Sequence, residues 1–256
     1  MARAVSLLER LQGIIERTYR MSTGIEEIGR FVLGDDGYRR VYGSVDPVQK
    51  VLAAGWAEPG PRLLLRHEGE GFRAAIYYPD RLVGRLETRP PTSGLDDENI
   101  DDFAAFVEEL DHLLCVAARL RERRPFTLLE LELHANVTKY FVAALFLGAA
   151  RRARFSGATS RCASASPPGG SRRSGVGVSP RRDRLGATER AWLRWHLFDK
   201  IEYADADPEI RARYRDAARY AWRFLSRIER LPAERRLAAL RDFHRRTHHQ
   251  NLALLA

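Results

Sequence analysis

Between positions 99 and 124, apolar side chains recur at helical spacing. Ile100, Phe103, Val107, Leu110, Leu114 and Ala117 form one stripe, the signature of an amphipathic helix. Asp96, Asp97, Glu98, Asp101 and Asp102 crowd its start; Arg119, Arg121, Arg123 and Arg124 crowd its end, and Pro125 stops it. Acids at the first turn and bases at the last complement the helix dipole. The same period runs through residues 3–21, where Leu7, Leu8, Leu11, Ile14, Ile15 and Tyr19 share a face. It returns in 189–203 and in a segment opened by Asp207-Pro208, with Ile210, Tyr214, Ala217, Ala221, Leu225 and Ile228 in register. Leu231-Pro232 turns the chain into a last helix that starts at Ala233.

Shorter runs with strand character lie between. Phe31–Leu33 and Tyr38–Tyr42 flank Gly34-Asp35-Asp36-Gly37, which predicts a hairpin with Asp-Gly turn chemistry. Asp46-Pro47 predicts a short helix to Trp56. Arg62–Glu68, Phe72–Tyr78 and Arg81–Thr88 read as three strands separated by Gly-rich and Pro-Asp links. Pro90 to Gly94 reads as a linker. The expected fold is mainly α: a small N-terminal α+β unit with a short antiparallel meander over 1–90, then a helical bundle over 96–256.

The segment 127–134 reads both ways. Thr127 and Glu130 make a capping box that favours helix. Residues 129–134 alternate apolar and polar like a half-buried strand. In either form Glu130 and His134 share a face, and as a helix that face continues into Val137 and Phe141.

Charge changes the picture at one place only. Residues 151–185 hold nine arginines and one acid, Asp183, and so carry +8 of the formal net charge of +9. The rest of the chain is close to neutral. Rich in Ser, Gly and Pro, this tract is expected to be a flexible loop interrupting the bundle. It fits a basic interaction loop touching phosphates or an anionic membrane surface, a passive insertion, or GC-rich coding read out of frame. Arginine outnumbers lysine 40 to 3, a bacterial-like GC-rich composition. The longest apolar run, Tyr140 to Ala150, is 11 residues, too short to span a bilayer. The first apolar run is broken by Glu9 and Arg10, which is unlike a signal peptide. The cytoplasm is the expected compartment.

Three polar pairs bear on chemistry. Glu109 and His112 have the E-x-x-H spacing of carboxylate-bridged metal bundles. His112 lies about 200° around the helix from Leu110, opposite the apolar stripe, so the pair is expected to face solvent or a partner. Glu130 and His134 are candidates for an acid/base dyad or half a metal site, with a structural cap as the plain alternative. His244 and His248 are spaced i, i+4, but Arg241, Arg245 and Arg246 around them disfavour a dication and predict a solvated helix end. Arg241 with His248, and Arg190 with His196, also fit the loose Arg-x(4–6)-His pattern of HEPN-type helical ribonucleases. Arginine is so abundant that such pairs arise by chance.

Two cysteines, Cys115 and Cys162, make neither a disulfide framework nor a four-thiolate zinc site. No Walker loop, dinucleotide glycine fingerprint or nucleophile-elbow serine is present. The leading expectation is therefore a non-enzymatic interaction or regulatory protein, with an unidentified protein partner, no cofactor and no metal. A metal-assisted or acid/base hydrolase built on Glu130 and His134 is the first alternative. The second is RNA binding or cleavage through Arg241, Arg245 and His248, with nucleic acid reaching only the 151–185 tract or the last helix.

Overall fold

The computed structural model describes residues 6–42, 60–69, 71–162, 185–201, 207–247, 250, 251 and 253. Among these it has eight helices and one three-stranded sheet near the N-terminus, the mainly α class with a small α+β unit that the hydrophobic periods predict. Helix α1 (Leu7–Tyr19) starts at a capping box. The Glu9 amide donates to Ser6 Oγ (3.2 Å) and the Ser6 amide donates to the Glu9 carboxylate (2.8 Å). Its apolar stripe buries Leu11, Ile15 and Tyr19.

The sheet departs from the expected meander. Strands β2 (Arg62–Glu68) and β3 (Gly71–Tyr77) form the antiparallel hairpin read from the sequence. The third strand is β1 (Val32–Leu33), which pairs with β3 in parallel, giving the order β1-β3-β2. Residues Asp80–Thr88 form helix α3, not a strand. Pro79 has no amide to extend the ladder, and β1 already occupies the free edge of β3. A helix also brings Leu82 and Leu86 onto one buried face.

The expected second arm of the 31–42 hairpin is likewise helical. Asp35–Tyr42 forms α2. The two aspartates that resembled a turn open that helix, where their charge suits its positive end. Tyr77 Oη donates to Asp35 Oδ1 (2.7 Å), and the Asp35 amide donates to Asp80 Oδ1 (3.3 Å). A Cβ at Gly34 would meet the Asp80 carboxylate, which would have to swing aside and give up its bond to the Asp35 amide. The helix expected over 46–56 lies outside the described residues.

The helical part contains α4 (Ile100–Arg121), α5 (Leu128–Cys162), α6 (Ala187–Arg194), α7 (Pro208–Ile228) and α8 (Ala233–Arg245). α6 continues into a single π turn, Trp195–Asp199. Asp207 caps α7 by accepting the Glu209 amide (2.8 Å), with Pro208 at the first helical position. Segment 127–134 resolves as the helical start of α5. α5 also extends into the arginine tract as far as Cys162, so the loop boundary expected at 151 falls inside a helix. The rest of the tract up to 184 lies outside the described residues.

α4 and α5 pack along each other, α7 lies against α5, and α8 lies against α1. A single hydrophobic cluster runs from Leu11 through Ile76, Phe103 and Val137 to Leu225 and Phe243. Arg85 clamps α3 to α4 through both oxygens of Asp102 (2.5 and 2.6 Å). No helix among the described residues is long and apolar enough to cross a membrane.

Candidate metal centre

α4 is buried on more sides than its stripe indicates. Ile100, Phe103, Val107, Leu110 and Leu114 are buried as read, but so are Asp111, His112, Cys115 and Arg119. Asp111 and Cys115, one turn apart, face the same way, and both are almost wholly buried. Opposite them α5 contributes His134 and Thr138, again one turn apart. From α8 comes His244, 110 residues beyond His134 in the chain and also buried. The solvated end expected for His244 is corrected: α8 packs that side of its last turn into the core, beside Phe243 and Leu240.

These side chains converge. His134 Nδ1 lies 2.7 Å from Asp111 Oδ2 and 3.1 Å from Cys115 Sγ, with Thr138 Oγ1 at 3.4 Å. His134 Nε2 lies 3.1 Å from His244 Nδ1. Tyr19 covers the group: its ring is 4.4 Å from the His134 ring, and its hydroxyl shares a 2.9 Å hydrogen bond with Thr138. Arg119 donates to the His244 carbonyl (3.0 Å) and so fixes the end of α8. Cys115 Sγ and one ring nitrogen each of His134 and His244 all lie within 4.8 Å of one another. A cavity of about 20 Å³, enough for one water or ion, adjoins them. Its walls include Cys115, Arg119, Glu130, His134 and Asn251.

The electrostatics suit a ligand cluster better than a nucleophile. Burial, and then the Asp111 charge, push the Cys115 thiol well above its ordinary value, so without a cation it stays protonated and unreactive. Cys115 and Asp111 also approach the same His134 nitrogen, whereas a nucleophilic triad needs them on opposite nitrogens. Burial, then His134 and the guanidiniums of Arg119, Arg124 and Arg245, hold His244 down at about 2. Its imidazole is thus neutral with a lone pair available. Asp111 Oδ1 is buried with no hydrogen-bond partner, a costly state for a carboxylate oxygen.

Glu130 stays at the start of α5. The Thr127 amide donates to its carboxylate (2.9 Å), and its own amide donates to Thr127 Oγ1 (3.1 Å). It borders the small cavity, but the carboxylate that contacts His134 is Asp111. Among the other candidates, Arg241 donates to the Thr18 carbonyl (3.1 Å). Arg245 is exposed, with Asp242 at 3.8 Å. His248 lies outside the described residues. His196 sits in the π turn between Asp97 (3.0 Å) and Lys200 (2.7 Å), while Arg190 donates to the Leu185 carbonyl (2.6 Å).

A second cluster contains the E-x-x-H pair, and it corrects the solvent-facing expectation. His112 is buried between Glu109 Oε2, 3.5 Å from Nδ1, and Glu132 Oε2, 3.8 Å from Nε2. Glu108 stands beside them, paired through Oε2 with Lys139 Nζ (2.7 Å). α5 covers the side of α4 that its own stripe leaves polar. Burial alone would lower His112, but Glu109, then Glu132 and Glu108, outweigh it and hold the imidazole up at about 9. Burial raises Glu132 to about 7.

Asp111 and Cys115 escaped sequence reading because neither belongs to a spacing motif with a histidine. Their partners lie on other helices. The signal present was the i, i+4 placement of Asp111 with Cys115 and of His134 with Thr138. Comparison of the chain with known protein families, with curated proteins and with solved structures returns no match.

Proposed function

We propose that this chain is a non-enzymatic, metal-dependent interaction or regulatory protein. Cys115, His134 and His244 hold one thiophilic divalent ion. Thiolate and imidazole donors in a buried, compact group suit zinc. The observation that carries this reading is the convergence of three buried donors from three helices within 4.8 Å. Asp111 lies against His134 Nδ1, where a carboxylate orients an imidazole. Cys115 Sγ approaches that same nitrogen and His244 Nδ1 approaches Nε2, so a small turn of the His134 ring would present it to an ion shared by all three. Ion binding would ionise the Cys115 thiol. Thiolate and Asp111 together then supply the two negative charges that a dication needs amid nearby arginines.

Three protein donors leave the fourth position to a water, as catalytic zinc sites do, but the adjoining cavity of about 20 Å³ holds one water and leaves no room for a substrate, which favours a structural ion. A structural ion here would tie α8 to α4 and α5. A reducing compartment such as the cytoplasm suits a free ligating thiol. The test is metal analysis of untagged protein with thermal melting. About one zinc per chain is expected, lost in Cys115→Ser and in His244→Ala. At 100 times its Kd, zinc would add about 2.7 kcal/mol, which for a chain of this size raises Tm by roughly 5–11 °C. Metal-free protein whose Tm ignores added zinc would end the proposal.

A further inference from the structure

The cluster on the other side of the α4–α5 seam has a different donor set. His112 Nε2 and Glu132 Oε2 are buried, face each other at 3.8 Å, and have no hydrogen-bond partner. That gap is too long for a hydrogen bond, yet two metal–ligand bonds of about 2.1 Å each can bridge it. Glu109 lies on the opposite ring nitrogen, where a carboxylate orients a metal-bound imidazole. Glu108 completes a group of one nitrogen and two carboxylate oxygens within 4.8 Å. Its pairing with Lys139 uses one oxygen, and a carboxylate has two. Three glutamates against Lys139, with His112 neutral, leave two negative charges, matched by one dication.

We propose that Glu108, His112 and Glu132 form a second cation site, which takes an oxygen-preferring divalent metal such as manganese or iron(II), with Glu109 as the positioning residue for His112. Oxygen-rich donors suit such ions, whereas the Cys115 centre suits a softer one. The proposal does not depend on that centre.

The test is a Mn²⁺ titration of untagged protein carrying one equivalent of zinc. Binding is followed by loss of the free Mn²⁺ paramagnetic resonance signal, and zinc is measured in the same samples. One saturable Mn²⁺ per chain is expected in the wild type and in Cys115→Ser. His112→Ala should abolish it. Glu109→Gln should weaken it about 10–100-fold, and Glu132→Gln at least as much. The two glutamine variants keep side-chain volume and so decide the matter if the alanine variant fails to fold. No saturable Mn²⁺ in the wild type, or wild-type affinity in folded His112→Ala or Glu132→Gln, would overturn the proposal and leave an ordinary buried ion-pair cluster. Zinc lost from Cys115→Ser with Mn²⁺ kept upholds both sites. Zinc absent throughout with Mn²⁺ bound removes only the Cys115 centre.

Discussion

Asp111 and Glu130 divide between them a role that sequence spacing assigns to Glu130 alone. Asp111 is fully buried with one oxygen on His134 and the other unpartnered. Burying a carboxylate that way is unfavourable by several kcal/mol unless a charge or proton meets it. Asp111→Asn keeps the volume and removes the charge, so zinc affinity should fall about 10–100-fold in a competition titration. Glu130→Ala removes the cap of α5. It should reduce stability by about 0.5–1 kcal/mol in urea unfolding and leave zinc content unchanged. His112 supplies a third residue-scale expectation. With no metal bound, its pKa is raised from 6.5 to about 9. The stabilisation this represents is complete below pH 6.5 and is lost as pH rises through 9. The Tm of metal-depleted protein should therefore decline over that interval, and His112→Ala should flatten the decline.

At the scale of elements, α8 is the segment whose place depends most on the centre. Phe243 stacks on Phe224 of α7 at 4.6 Å and is nearly inaccessible. Phe243→Ala should cost about 3–5 kcal/mol and be visible in chemical denaturation. Chelation should speed hydrogen exchange in α8 before α4 or α5, because the ion would add a tie from His244 to Cys115 and His134. Helix α4 was legible from its stripe and its end charges, and α7 from Asp207-Pro208. What misled was local. Arg81–Thr88 and Asp35–Tyr42 are too short for their periods to separate strand from helix. Pro79 and β1 on the edge of β3 decided the first; aspartates at the positive end of the helix suit the second. The stripe on α4 located its apolar face but said nothing of the polar face that α5 covers. That is why the stripe alone sets His112 toward solvent or a partner. His244 was misplaced for the same reason, since arginines nearby in sequence point away from the core that receives the imidazole.

For the whole molecule, the net charge is a poor guide. Nearly all of it belongs to residues 151–185, of which α5 carries the first part as helix. The remaining chain is near neutral and contributes the buried donors. Their chemistry differs on the two sides of α4 and α5: a thiol with two imidazoles on one, glutamates with one imidazole on the other. A separate cavity of about 460 Å³, bordered by Tyr140, Leu225 and Leu240, lies at the α5–α7–α8 junction and contains none of these donors. The central claim is that Cys115 ligates a metal together with two histidines, and cobalt(II) substitution reads it directly. Wild-type protein should bind one Co²⁺ with an intense sulfur-to-cobalt charge-transfer band and the visible bands of a tetrahedral ion. Cys115→Ser should lose the charge-transfer band, and His244→Ala should lose tetrahedral binding. A folded wild-type protein that takes up Co²⁺ without that band, or takes up none, would contradict the account.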